Sequence, residues 1–394
     1  MQYFVGIDNS SLDHKVQILD DQGNQKVSFT VANTFEGFQK LTTMLADFDD
    51  IKIGFELPHG PLVDYLHSLN YTLYSLNPLK IKRYKESTKV SGNKNDAIDA
   101  RAIADYIRTN THYTKELLYH SSEIERLKML SIMHTRLTHD RTRHVNKLHY
   151  AVSQYFPLQE SLFVDFACTV HLKMIIQYPT CSDLKAASAD EIRTFLRNNK
   201  YGKAVYSERI IEKIKTYQQH SSPDVEWAYQ MEARCLCTII QTLNDTLHHI
   251  EKQMNAIVDS HQLGKYFQSL PGAGIILSCK LLALFGDNKH RFDNYNSVQC
   301  LFGTAPKNYQ SGIYHKVIMR KACNKSARAV LYQFAFSSLQ FSQWAREYYD
   351  MQRKKGKTHS VAIRALSNKW VKIMYKIWKD EILYCDDKKI IPAA

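Results

Sequence analysis

The sequence has no apolar run approaching the roughly 18 residues that a membrane-spanning helix needs, so nothing in it reads as a transmembrane segment. Its first residues, MQYFVGID, lack the basic region and apolar core of a secretory signal and begin directly in a strand pattern; a cytoplasmic protein is expected. The eight cysteines, at 168, 181, 235, 237, 279, 300, 323 and 385, include no C-x-x-C pair. That spacing speaks against a zinc knuckle or a disulfide framework and for reduced thiols. Cys235 and Cys237 would point to different faces of a helix and could not easily share a metal. Acidic residues are missing over two long windows, from Asn294 through Arg346 and from Gln352 through Lys379. Both windows carry only positive charge interleaved with aromatics. A merely solvated face would mix the two signs, so the pattern suits a nucleic-acid surface better.

What is present agrees with that direction. Fifty-two Lys and Arg against 39 Asp and Glu give a net charge of +13, which favours a polyanionic partner through phosphate neutralisation and counterion release. An apolar content of 44% over 394 residues is enough for a real core and for two or three domains.

The first hundred residues alternate short strands with helices. Period-2 strands are expected at 3–8, 15–20 and 25–31, then an amphipathic helix near 35–47 with Phe35, Phe38, Leu41, Leu45 and Phe48 on one face. A fourth strand at 51–57 and a helix-plus-strand pair ending at "YSLNP" follow. A Lys-rich loop from Lys80 to Lys94 then leads into the helix of "KNDAIDARAIADYI". That order is the order of a ribonuclease-H-like α/β fold, by analogy alone. Next, Ser122 and Glu125 form an S-x-x-E capping box, and Leu130, Leu137, Val145, Leu148 and Val152 line a long helix ending before Pro157. A region from about 157 to 222 has helical pieces but little pattern. After Pro223 a second long helix carries Leu236, Leu243, Ile250 and Ile257 every seven residues, with Ile240, Leu247 and Met254 interleaved, the apolar seam of a coiled coil. An intramolecular helix pair and a dimer contact both fit; a dimer is favoured. The fold class expected is α/β plus all-α, divided at 1–115, 116–262 and 263–394.

Four carboxylates stand out. Asp8 and Glu56 each end a strand, each two residues after a glycine, which leaves room at the strand tip for a phosphate or an ion. Adjacent strand ends would bring them together. Asp96 and Asp99, three apart at a helix start, project to nearly the same side; helix capping alone would account for such a pair. Combined, four acids would repel one another unless divalent cations bind them. Mg²⁺ takes hard oxygen ligands of this kind, and two such ions can activate an attacking oxygen and stabilise a leaving one at phosphorus. The histidines at 134, 139, 144 and 149 recur every five residues, so a helix cannot converge them on one metal; they read as DNA-facing or plain surface. "PGAG" at 271–274 before an apolar helix could hold a phosphate through Gly272 and Gly274, or be ordinary punctuation. Ser311 precedes Gly312 among many cations; a lone Ser-Gly is usually a turn, and no activating base or metal is local in sequence. Candidate nucleic-acid contacts are Lys82, Arg83, Lys85 and Lys94 before the acid-bearing helix and Arg136 and Arg143 on the long helix. In the late basic window they are Lys307, Lys316, Arg320 and Lys321.

Taken in order, "GIDNS", "GFE", "KNDAIDARAIADYI", "LPGAGIILSCKLLALFGD" and "LFGTAPKNYQSG" resemble the DEDD transposases of the IS110 insertion-sequence family, which includes Piv-type DNA invertases. The resemblance implies a RuvC-like N-terminal domain whose Asp8, Glu56, Asp96 and Asp99 bind Mg²⁺, two ions per site, joined by a helical coiled coil to a mainly helical C-terminal transposase domain. It implies that Ser311 attacks a DNA phosphate and forms a covalent link, with the acids supplied by another protomer. The family motif has Ser-Ser-Gly where this chain has Gln310-Ser311-Gly312, so Ser311 is the serine left for that role. The implied partners are donor and target DNA, a structured non-coding guide RNA and further copies of the chain, as a dimer or a tetramer, in the cytoplasm at the nucleoid. Two other activities stay open beside guided transposition: Piv-type inversion, and hydrolytic cleavage like that of a RuvC-type Holliday-junction endonuclease. A purely architectural DNA- or RNA-binding protein is a third class, in which the acids would only cap helices.

Overall fold

The computed structural model describes residues 1–56, 58, 60–88, 96–201, 203–218 and 221–386. The chain divides into two compact units, Met1–Tyr119 and His120–Ala394.

In the first unit, β1 (Tyr3–Asn9), β2 (Asp13–Leu19) and β3 (Gln25–Ala32) form an antiparallel meander, followed by α1 (Phe35–Leu45), β4 (Ile51–Phe55), α2 (Pro61–Ser68), β5 (Leu73–Ser75), α3 (Pro78–Thr88) and α4 (Asp96–Asn110). The five strands lie in the order β3-β2-β1-β4-β5, with β4 parallel to β1 and to β5. Period-2 alternation gives the sheet two faces. Val5, Ile7, Val16, Ile18, Ile53 and Phe55 bury one face under α1 and α2, among Phe38, Leu41, Leu45, Leu62 and Leu66. On the other face, Phe4 and Tyr74 pack with Ile81 of α3 and with Ile103, Tyr106 and Ile107 of α4.

Residues expected as a Lys-rich loop from Lys80 are instead helical to Thr88. Pro78 opens this helix where its missing N–H costs nothing, and the Lys, Arg and Glu content that reads as loop is compatible with helix. Ile81 is its one buried residue.

The second unit is almost wholly helical: α5 (Ser122–Tyr155), α6 (Gln159–Leu162), α7 (Thr169–Gln177), α8 (Cys181–Ala186), α9 (Ala189–Asn198), α10 (Ala204–Thr216), α11 (Pro223–Ser260), α12 (Gly264–Gln268), α13 (Gly274–Phe285) and α14 (Tyr295–Leu301). A hairpin of β6 (Lys307–Ser311) and β7 (Tyr314–Ile318) precedes α15 (Lys325–Ser338), α16 (Gln343–Lys354) and α17 (His359–Asp380). Among the described residues no helix is long and apolar enough to cross a membrane.

The seam of α11 is used within the chain. Its last turns, with Ile250, Met254 and Val258, pack with Ile124, Leu127 and Leu130 at the start of α5. Its first turns, with Ala233, Leu236 and Ile240, pack with Leu148 and Val152 at the end of α5. The two helices are therefore an antiparallel pair, and the heptad pattern that favoured a dimer contact finds its partner in the same protein. The pair joins two cores. One is built from α6–α10, the region with little sequence pattern; the other, from α12–α17, centres on the fully buried Trp370, Trp378, Phe285 and Phe334.

Two expectations along α5 are corrected. The cap is Ser121 rather than Ser122: its hydroxyl accepts from the Ile124 N–H, while Glu125 pairs with Lys128 at 2.8 Å. Nor are the four histidines all surface. His134 is buried, with Nε2 2.9 Å from Glu251, because its face is turned toward α11, whereas His149 stacks on Phe166 at 3.7 Å and stays partly exposed.

Asp287, just beyond α13, ties three helix ends together. One oxygen lies 2.8 Å from His120 Nδ1, the other accepts from the Ser121 N–H at 3.1 Å, and His261 after α11 stands 3.9 Å away. Burial alone would raise this carboxyl, but the bonds from Ser121 and His120 outweigh it and hold it at about 2. Burial, reinforced by Lys128, lowers the His120 imidazole.

Two outcomes follow from these contacts. A folded-state value of about 2 against an ordinary 3.8 means that Asp287 stabilises the protein above pH 3.8 and that this contribution fades as pH falls toward 2. Asp287→Asn is expected to cost about 1–2 kcal/mol at neutral pH, solvent screening included, and to flatten urea-unfolding stability between pH 4 and 2. In the first unit, a Cβ at Gly6 would run into the Ala100 carbonyl oxygen and Ala104 nitrogen, whereas one at Gly54 would meet the flexible end of Ile107. Gly6→Ala should lose about 1–3 kcal/mol in thermal or urea denaturation and Gly54→Ala clearly less.

Candidate active site and nucleic-acid interface

β1 and β4 run side by side in parallel, with Gly6 opposite Gly54 and Ile7 opposite Phe55. Asp8, still within β1, and Glu56, in the bend just past β4, are therefore the next residues along two neighbouring strands. Both are half-buried. The glycines let α4 lie directly on the sheet: Ala100 and Ala104 sit over Gly6, and Ile103 and Ile107 over Gly54.

The direction of α4 completes the arrangement. Near its C-terminus, Arg108 reaches the Asp21 carbonyl, in the turn after β2, at 3.3 Å. The C-terminal end of β2 lies beside the N-terminal end of β1, where Leu19 faces Phe4. So α4 runs antiparallel to β1, and its first turn, with Asp96 and Asp99, lies at the strand ends that carry Asp8 and Glu56. The carboxyl ends of parallel strands are where open α/β sheets bind ligands, and a helix N-terminus favours negative charge.

Asp99 has a partner that the sequence did not announce. Lys85, in the last turn of α3, places Nζ 2.9 Å from Asp99 Oδ1, with the two side chains 27% and 20% exposed. Lys85 therefore faces a carboxylate, not open solvent as a phosphate contact would. The signal was the spacing of Ile81, Tyr84 and Lys85, which share one helical face. Ile81 is buried on that face, and Tyr84 OH donates to Asp105 at 2.7 Å while its ring meets Tyr106 edge-on. Among the described residues no three His, Cys, Asp or Glu side chains converge closely enough to hold a metal ion. The side chain of Asp96 and all of Lys94 lie outside the described residues.

Ser311 belongs to the second unit. It closes β6 opposite Tyr314, across a two-residue turn of Gly312 and Ile313. Gly312 has φ +55°, a conformation that glycine adopts without strain. Every residue of both strands is exposed, including Lys307, Lys316, Tyr309 and Tyr314. Two strands alone are marginal in water, and this pair presents both faces. Of the other cations, Lys82, Arg83, Arg136 and Lys321 are exposed, and Arg320 is half-buried. Arg143 is exposed and pairs with Asp140 one turn back. Gly272 and Gly274, φ +76° and +54°, turn the chain into α13, with the Gly272 carbonyl accepting from Ser337 at 2.7 Å.

Two family models match. A DEDD transposase model covers residues 5–157, and the transposase model of the IS116/IS110/IS902 family covers 264–350. The chain belongs to the IS110 family of transposases. A protein named as a mini-circle transposase for IS117 of Streptomyces coelicolor is 26% identical, over 93% of this chain and 92% of the relative. An insertion element IS900 protein of 42 kDa from Mycobacterium paratuberculosis is 24% identical, over 97% and 96%. An IS110 protein of 43.6 kDa, also from S. coelicolor, is 24% identical, over 74% and 72%. The first match contains all four acids of this IS110-family chain and the second contains Ser311 and the Gly272–Gly274 turn, while residues 158–263 lie between them.

Because Ser311 is exposed at a turn and buries nothing, Ser311→Ala should change unfolding free energy by no more than about 0.5 kcal/mol, measured by thermal or urea denaturation. Any loss of activity in that variant is then chemical.

Proposed function

We propose that this IS110-family transposase cleaves and exchanges DNA strands through a Mg²⁺-dependent, RuvC-like site and a covalent Ser311 link. The observation that carries the reading is the placement of Asp8 and Glu56 on adjoining strand ends under the N-terminus of α4. The sheet order, with β2 antiparallel to β1 and β1, β4 and β5 mutually parallel, supports the ribonuclease-H-like comparison. The reading divides the chain into a nuclease part (1–115), a helical arm (116–262) and a transposase part with the serine (263–394).

The residues fit a hard divalent cation. Their donors are carboxylate oxygens, Asp8 and Glu56 are only half-buried, and an ammonium already stands at one oxygen of Asp99. Asp8, Glu56, Asp96 and Asp99 would hold Mg²⁺, two ions per site, and the metal would supply charge stabilisation at phosphorus. Ser311 Oγ, giving up its proton, forms a bond to phosphorus as the bond to the deoxyribose oxygen breaks, and that oxygen leaves as a hydroxyl. Attack by the hydroxyl of the incoming strand reverses the step, so each phosphodiester is exchanged without hydrolysis.

The acids come from one copy of the chain and the serine from another, in a homodimer or a tetramer. The exposed hairpin, with Lys307 and Lys316 beside Ser311, is suited to following a phosphate backbone. The net charge of +13 supports a polyanion load beyond the DNA itself, namely a structured guide RNA that pairs with donor and target. The protein would work in the cytoplasm at the nucleoid.

A strand-exchange assay on paired junction substrates tests this. Asp8→Asn and Ser311→Ala are each expected to lose at least about 10³-fold in rate, the scale on which removal of a nucleophile acts, and EDTA should abolish exchange. A nicked substrate should trap a protein–DNA adduct on a denaturing gel, absent in Ser311→Ala. Full activity of Ser311→Ala refutes the covalent step, and Asp8-dependent nicking without an adduct identifies a hydrolytic nuclease instead.

A further inference from the structure

We propose that Lys85 is an internal counter-ion of the acid site, which holds Asp99 in the metal-free protein and has to be displaced before a divalent cation can use that carboxylate. The inference rests on the metal-binding reading above and extends it to a residue outside the four acids.

The geometry carries it. Lys85 Nζ stands 2.9 Å from Asp99 Oδ1, hydrogen-bonding distance for an ammonium on a carboxylate. Mg²⁺ binds such an oxygen at about 2.0–2.1 Å and demands near-octahedral geometry, so the two cations would crowd one lone-pair region and repel. The pair is not a chance surface contact. Both side chains are about three-quarters buried, and α3 is pinned to α4 by Ile81 in the shared core and by Tyr84 on Asp105. Lys82, on the same helix but turned outward, is 71% exposed and only 4.0 Å from Glu86.

A competing ion pair lowers apparent metal affinity by the fraction of molecules in which the site is free. It also keeps Asp99 from standing unpaired beside the other acids before metal arrives. Once displaced, the ammonium is a free cation beside the metal site, and a DNA phosphate is the anion available there.

Two measurements on the full chain decide the proposal. First, wild-type protein is acylated with an amine-reactive ester in EDTA or in saturating Mn²⁺, and each lysine is followed by mass spectrometry. Lys85 is expected to react several-fold faster with Mn²⁺, with Lys82 unchanged as internal reference. Second, Mn²⁺ binding is measured by calorimetry. Lys85→Met is expected to bind about 5–10-fold more tightly, as an ion pair formed in roughly 80–90% of metal-free molecules requires; Lys85→Gln serves equally if the Met variant does not fold. Unchanged or slower labelling of Lys85 overturns the proposal, as does Mn²⁺ affinity in the variant no tighter than wild type. The metal reading fails separately, and the proposal with it, if wild-type protein binds no Mn²⁺ or if Asp8→Asn binds it as well as wild type.

Discussion

The close approach of α4 to the sheet is the contact on which the acid site depends. Gly6 and Gly54 face each other across β1 and β4; a Cβ at Gly6 would meet the backbone of α4 and hold the helix off, and one at Gly54 would press on Ile107. With the helix seated there, its first turn has one place to be, at the strand ends that carry Asp8 and Glu56. A short-range steric fact thus positions carboxylates on segments far apart in the chain.

The same economy governs charge around that turn. A helix start tolerates Asp99 through its dipole, and a cation stands beside it as well. In the chain itself the cation is Lys85, delivered by a helix whose buried Ile81 and bonded Tyr84 leave it little freedom. In the second unit Asp287 has the opposite task. Held ionised by Ser121 and His120, it locks the ends of α5 and α13 together, so the long antiparallel pair starts from a defined point.

Much of this was legible in the sequence, for reasons that differ by element. Strands β1 to β4 were visible because a sheet covered on both faces still alternates around Gly6 and Gly54, and α11 was visible because its seam repeats every seven residues. The four acids were read as a set through the family motifs they sit in. Local cues failed where two explanations share one composition. The Lys-rich stretch read as loop is α3, since Lys and Arg serve a helix as well as a loop. Ser121 and Ser122 are equally good caps in one dimension, and the structure separates them by the bond from the Ile124 N–H to the Ser121 hydroxyl. His134 looked like surface because its partner, Glu251, is over a hundred residues away.

By itself the sequence determined the periodicities, the excess of positive charge, the types of donor at the site and the family, because each of these is carried by residue identity and spacing along one strand or helix. Tertiary structure decided the rest: that Gly6 meets Gly54 in register, that α4 runs against β1, that the α11 seam closes on α5, and that Lys85 faces Asp99 and not solvent. All four are pairings between segments distant in the chain. Such pairings are selected by packing and by charge neutralisation in three dimensions, and no local pattern encodes which of several compatible partners an apolar face or a carboxylate will meet.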